Sequence, residues 1–212
     1  MKLNQLLITF FFSINVFSQS PVLFEEIKIG NQIWMKLNLN VSNFRNGDLV
    51  HHANSKAEWK KLNEEKKPAW CYYDRDEKNA NVYGKLYNWY ALIDPRGLAP
   101  DGWHVPTDEE WSELTKNSGG QEMSSRFLKS TTGWKKNRNG TDFYGFSIFP
   151  SGDCSRFMNF FGLGEYSYFW TISEEYIYYA WTRHFNYSNS ITSRILVDKQ
   201  FGCSVRLIKD NF

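Results

Sequence analysis

The chain carries no useful excess of charge: 25 Lys and Arg stand against 23 Asp and Glu, for a formal net charge of +2. The two signs are interleaved, whereas a surface that tracks nucleic-acid phosphates needs clustered cations. No nucleic-acid partner is expected. Cysteine is scarce as well, with Cys71, Cys154 and Cys203 at spacings that match no zinc pattern and allow at most one internal bridge. Histidine is equally thin. His51 and His52 are adjacent, so an extended chain points them to opposite sides, and neither His104 nor His184 has a second ligand at a recognisable spacing. No metal and no cofactor is expected.

Signatures of catalysis are missing too. There is no Gly-x-Ser-x-Gly elbow, and Gly162-Leu163-Gly164 lacks the third glycine and the strand-to-helix setting of a dinucleotide loop. Asp74-Arg75-Asp76 opens like a calcium loop, but Lys78 falls where an oxygen ligand is needed. No catalytic residue is therefore singled out. Paired carboxylates for glycoside cleavage need only be close in space, so an enzyme acting on polysaccharide remains the alternative reading.

The only long apolar run is Leu6–Phe17, after Lys2 and before small or polar residues. That order is expected of a secretory signal peptide, residues 1–18, cut after Ser18; the run is short of the roughly 20 residues a membrane span needs. The remaining 19–212 are expected to form a single exported domain, with no membrane span and no lipid anchor.

Aromatic residues are abundant at 18%, including nine Trp. VLFEEIKIGNQIWMKLNLNV alternates apolar residues around Gly30-Asn31 and predicts a hairpin. SKAEWKKLNEEKKP places Ser55 three residues ahead of Glu58 and predicts a short capped helix ending before Pro68. AWCYYD predicts a buried strand, and YGKLYNWYALID a mostly buried extended segment. In GWHVPTDEEW, Thr107 and Glu110 form a capping box, Asp108, Glu109 and Glu110 suit the positive end of the helix dipole, and Val105 is placed to staple against Trp111. The carboxylates of this stretch are thus read as helix-starting groups. Beyond Gly133 the pattern is of short strands separated by turns.

IGNQIWMKLNLN, AWCYYD, YGKLYNWYALIDPRGLAPDGWHVPTDEEW and the closing GCSVRLIKD together resemble the Fibrobacter succinogenes major paralogous domain, a family of secreted bacterial proteins of undefined activity. GWHVPTDEEW and SVR also resemble, more distantly, C-type-lectin-like proteins such as the formylglycine-generating enzyme and the variable proteins of retroelements. The resemblance implies an α+β, C-type-lectin-like fold: small twisted antiparallel sheets, two short helices, paired terminal strands and long irregular loops. It does not imply the distant relatives' activities. The enzyme's paired-cysteine site is reduced to Cys203, and the Trp-Asn-Asp triplet of calcium-dependent lectins is missing. The family pattern has an aromatic before SVR and a cysteine after it, where this chain has Cys203 and Leu207. A Cys154–Cys203 bridge within the late β half is expected.

The function expected is that of an exported non-enzymatic binding module for a glycan or a cell-surface protein; a structural domain with no small ligand is the blander alternative. Tyr176, Tyr178, Trp181, Arg183, Asn186, Tyr187 and Arg194 are the candidate binding residues, in the late region where the retroelement relatives carry their variable residues. A strand buries one face and offers the other, so one parity should be core and the other open: Ile177, Tyr179 and Trp181 as core with Tyr176, Tyr178 and His184 open, or the reverse. If this region is core on both sides, the site shifts to the loops from Arg156 to Tyr168.

Overall fold

Gly30 turns the chain with φ of 61°, and a side chain there would drive its Cβ to 2.3 Å from Asn117 Nδ2. The hairpin it permits, β1 (Glu26–Ile29) with β2 (Gln32–Met35), opens the computed structural model, which describes residues 24–210. The expected signal peptide lies outside the described residues. There follow β3 (His51–His52), α1 (Lys56–Glu64), β4 (Ala69–Cys71), the single turn α2 (Ala80–Tyr83), β5 (Leu86–Tyr87), the single turn α3 (Trp89–Leu92), β6 (Trp103–His104), α4 (Asp108–Asn117) and α5 (Ser124–Leu128). The late half is β7 (Ser151–Cys154), β8 (Phe160–Leu163), β9 (Tyr166–Tyr176), β10 (Tyr179–Asn186) and β11 (Ser193–Asp198), closed by β12 (Ile208–Lys209). The architecture is α+β, with several small sheets and few short helices. No helix among the described residues is long and apolar enough to cross a membrane.

Three sheets result, ordered β1-β2-β12-β6, β3-β4-β5 and β11-β10-β9-β7-β8. The closing segment stitches them together: Gly202 bridges to Cys154, Cys203 to Tyr87 and Ser204 to Phe169. Arg206 then enters the centre of the molecule, where its guanidinium donates to the carbonyls of Met35, Lys36 and Phe146 and to Asn38 Oδ1. This arginine, like Cys203 and Val205 beside it, is buried. The terminal motif is therefore an internal strut.

Both helices expected from capping signals form. Ser55 Oγ accepts from the Glu58 amide, and Thr107 and Glu110 complete a reciprocal box at the start of α4. Trp111 is buried, but not as a staple on Val105. It packs with Trp34, Phe146, Phe169 and Phe185, while Val105 joins the neighbouring core around Trp103. The helix turns its indole under the N-terminal hairpin. The segment 83–94 is extended only over Leu86–Tyr87; Asn88 then caps α3, accepting from the Ala91 amide and also from Ala69, so a buried side chain converts strand to helix.

The Cys154–Cys203 bridge does not form; all three thiols are free and buried. Register explains it. Cys154 pairs with Gly202, and a Cβ on Gly202 would lie 3.0 Å from that of Cys154. Cys203, one residue on, faces the opposite side. It joins the core of Trp70 and Trp170, whereas Cys154 shares its core with Cys71 and Trp59.

Candidate functional site

Of the seven residues singled out in the late strands, Trp181, Arg183 and Arg194 come together beside Asp108, and the other four do not join them. Tyr176, Ile177, Tyr178 and Tyr179 are 58%, 69%, 60% and 43% exposed, because they form the tip of the β9–β10 hairpin and not the middle of a strand. The expectation that one parity here, whether that of Ile177 and Tyr179 or that of Tyr176 and Tyr178, belongs to the core is corrected accordingly. Past the tip, irregular pairing between Ala180 and Thr182 shifts the register, and the adjacent Thr182 and Arg183 are both buried. Both faces of β10 are covered here, which defeats a simple parity. Arg183 is locked beneath α4, pairing with Asp108 and donating to Ser112 Oγ at 2.8 Å. Arg194 reaches the same carboxylate at 2.7 Å and lies 3.3 Å from the centre of the Trp181 ring, whose Nε1 donates to Glu175. Asn186 accepts from the Ser188 amide through its side chain, and Tyr187 packs against the core of Trp111.

The histidines and the start of α4 are occupied structurally. His52 stacks on Trp70 at 3.8 Å. His104 lies between Glu110 and Asp210, at 2.8 and 2.6 Å, and these carboxylates hold its pKa above the usual value, the Glu110 hydrogen bond foremost. Among the described residues no three His, Cys, Asp or Glu gather as a metal site.

A concavity of about 480 Å³ opens instead between β7, β9 and the β10–β11 ladder. Tyr168, Tyr179, Ile195, Val197 and Phe201 supply its apolar walls, and Asp153, Arg156 and Asp198 its charge. Asp153 comes from β7, a strand buried along its whole length, which passes between β8 and β9. That passage is close: Gly152 holds φ of 64°, and a Cβ on it would fall 2.3 Å from the Phe161 carbonyl oxygen. Asp153 is 5% exposed, and its Oδ1 is buried with no hydrogen-bond partner. Burial pushes its carboxyl up to about 7, against a smaller opposing pull from the Tyr166 hydroxyl.

The wall beside it is aromatic and desolvated. Tyr168 and His184 are cross-strand partners on β9 and β10, stacked at 4.5 Å, and Tyr166 meets Tyr168 edge-on at 5.4 Å. Burial, with the charge of Asp153 second, pushes the Tyr168 hydroxyl up to about 12 and raises that of Tyr166; burial drives His184 down to about 4. Near neutral pH this region therefore holds neutral rings beside a carboxyl poised between its two states. Such a group can donate a hydrogen bond when protonated and accept when ionised.

Sequence reasoning missed Asp153 because the stretch beyond Gly133 reads only as short strands separated by turns, with nothing in it that marks Asp153 as buried. The available signal was the single charged residue in an aromatic-containing run, Phe146 to Cys154. Of the concavity's residues, Arg156 and Tyr168 mark the ends of the fallback region.

Residues 27–209 match the Fibrobacter succinogenes major domain, and the chain belongs to that family. No curated protein and no solved structure matches it.

Proposed function

We propose that the chain is an exported, non-enzymatic binding module of C-type-lectin-like fold that takes a glycan in the concavity floored by Asp153. The observation that carries the reading is a buried carboxyl with an unpartnered oxygen at the foot of an aromatic hollow. Leaving a buried polar group unpaired typically costs about 1–3 kcal/mol, and a sugar hydroxyl reaching that oxygen would recover it. Tyr168, Tyr179 and Phe201 offer planar rings for a sugar face, and Arg156 adds a donor at the edge. A mostly apolar hollow with few converging polar groups and a perturbed carboxyl is the usual form of a ligand site. The exposed hairpin Tyr176–Tyr179 extends the same surface, since Tyr179 belongs to both.

A glycan array followed by titration of the best oligosaccharide tests the reading. Tyr168→Ala and Asp153→Asn should each weaken binding roughly ten-fold or more, the loss of one charge-assisted or stacking contact, with unfolding midpoints showing that the variants fold. Full affinity in both variants would remove the concavity from the site. Export is checked by mass spectrometry of the protein from its producer, with an N-terminus expected at Gln19; an intact Met1 would contradict it.

One observation favours a second reading. Asp198, paired with Arg156 at 3.9 Å, lines the same hollow as Asp153, and a carboxyl raised to about 7 that shares a hollow with a second carboxylate is what a general acid and its partner in glycoside cleavage require. Release of reducing ends, abolished in Asp153→Asn, would replace the binding reading with this one.

A further inference from the structure

A second open concavity, of about 350 Å³, lies at the other end of β10, where Tyr187 to Ser190 face the loop 137–141. The first hollow runs along β10 from Tyr179 to the level of His184, the cross-strand partner of Tyr168, whereas this one begins beyond Asn186. This one is lined by Arg126, Lys129 and Arg138 and by hydroxyl and amide side chains, with the Tyr187 ring as its only aromatic. No aspartate or glutamate lines it. Arginine ion pairs elsewhere are made by Arg45, Arg96, Arg156, Arg183 and Arg194. Among the described residues Arg126 and Arg138 make none.

Lys129 sharpens the imbalance. It is 3% exposed, and its Nζ donates to the carbonyl oxygens of Asn186, Asn189 and Arg138 at 3.0, 3.3 and 3.4 Å. Those carbonyls satisfy its hydrogens and tie the two loops together, but they carry no net charge. Burial and then the nearby cation Arg138 push its pKa down to about 8. Of the acids near these residues in sequence, Asp142 accepts from the amide and hydroxyl of Ser147, and Glu122, four residues before Arg126, does not line the hollow.

We propose that this concavity is an oxyanion site that takes a sulfate ester or a carboxylate carried on a polysaccharide. Two guanidiniums without partners offer planar forks suited to bidentate oxyanion contact. The buried ammonium, over the Trp134 ring at 4.7 Å, adds positive charge that no carboxylate compensates, and charge inside a low-dielectric wall acts more strongly than at an open surface. Asn139, Ser188 and Asn189 supply neutral donors and acceptors for the hydroxyls flanking such a group on a sugar ring. A lipid headgroup is disfavoured because no aliphatic side chain lines the hollow for insertion.

The test is calorimetric titration of the full chain, at fixed ionic strength, with a heparin oligosaccharide, an oligogalacturonate and a neutral maltooligosaccharide. At least one of the two anionic oligomers should bind and the neutral one should not; which one binds separates sulfate from carboxylate. Arg126→Ala with Arg138→Ala should weaken that binding roughly ten-fold or more, as loss of charge-assisted hydrogen bonds does. Lys28→Ala with Lys61→Ala, which removes the same charge from exposed positions elsewhere, should leave it unchanged, and so should Asp153→Asn. Failure of both anionic oligomers to bind, or equal weakening by the two charge-removing pairs, overturns the site. Loss of the same binding in Asp153→Asn would also overturn it, by assigning the anion to the first hollow.

Discussion

Asp108 and Asp153 are both aspartates in the interior, 6% and 5% exposed, and the protein treats them in opposite ways. Asp108 opens α4 and receives Arg183 on one oxygen and Arg194 on the other, while its own amide donates to Ser173 Oγ. The pair fastens the helix to β10 and β11. Asp153 has no cation beside it, one oxygen without any partner, and a hollow in front of it. A buried charge that is fully paired serves the architecture; one left open toward a concavity, at a cost to stability, is the observation on which the proposed glycan site rests.

Breaking the paired side should give the largest effect. Asp108→Ala leaves Arg183 buried without its counter-ion and should cost about 3–5 kcal/mol, read from urea unfolding. The unpaired side has a pH signature of nearly that size. His184, held neutral in the fold at about 4 against an ordinary 6.5, contributes stability that is present above 6.5 and lost as pH falls through 4. That loss is about 3 kcal/mol in total, and His184→Gln should flatten the acid limb of the stability profile. Thr107→Ala, which removes the cap that presents Asp108, should cost about 1 kcal/mol. Arg194→Ala should cost under about 1 kcal/mol, because its side chain is 47% exposed and screened by water. A larger loss there than for Asp108→Ala would undo the assignment of the buried pair to Arg183.

The two halves of this comparison were unequally legible in the sequence. Thr107 through Trp111 announce a helix through local chemistry, and local chemistry survives folding: the cap, the box and the burial of Trp111 all appear. The Gly30 hairpin and the Ser55 cap were readable for the same reason. The partners of Asp108 lie 75 and 86 residues away, so Arg183 and Arg194 read as free binding groups until the sheet folds over α4. Alternation failed between Tyr176 and Arg183 because a hairpin tip and an irregular pairing interrupt the period of two. Cys203 misled through a shift of a single residue, which reverses the face of a strand. Asp153 could not be recognised as unpaired from sequence, since the absence of a partner is a property of the folded neighbourhood alone.

The central claim, that Asp153 is retained at a cost to stability, is tested most directly by urea unfolding of the wild type and Asp153→Asn across pH. Its carboxyl rises from 3.8 to about 7 on folding, so the penalty is absent below 3.8, grows with pH and is complete above 7. Asp153→Asn should therefore be more stable than the wild type by up to about 4 kcal/mol at pH 8, with the gap narrowing to under about 2 kcal/mol at pH 5. A variant less stable than the wild type by the same amount at both pH values would show that the Asp153 carboxylate is supported by the fold, and would contradict the account.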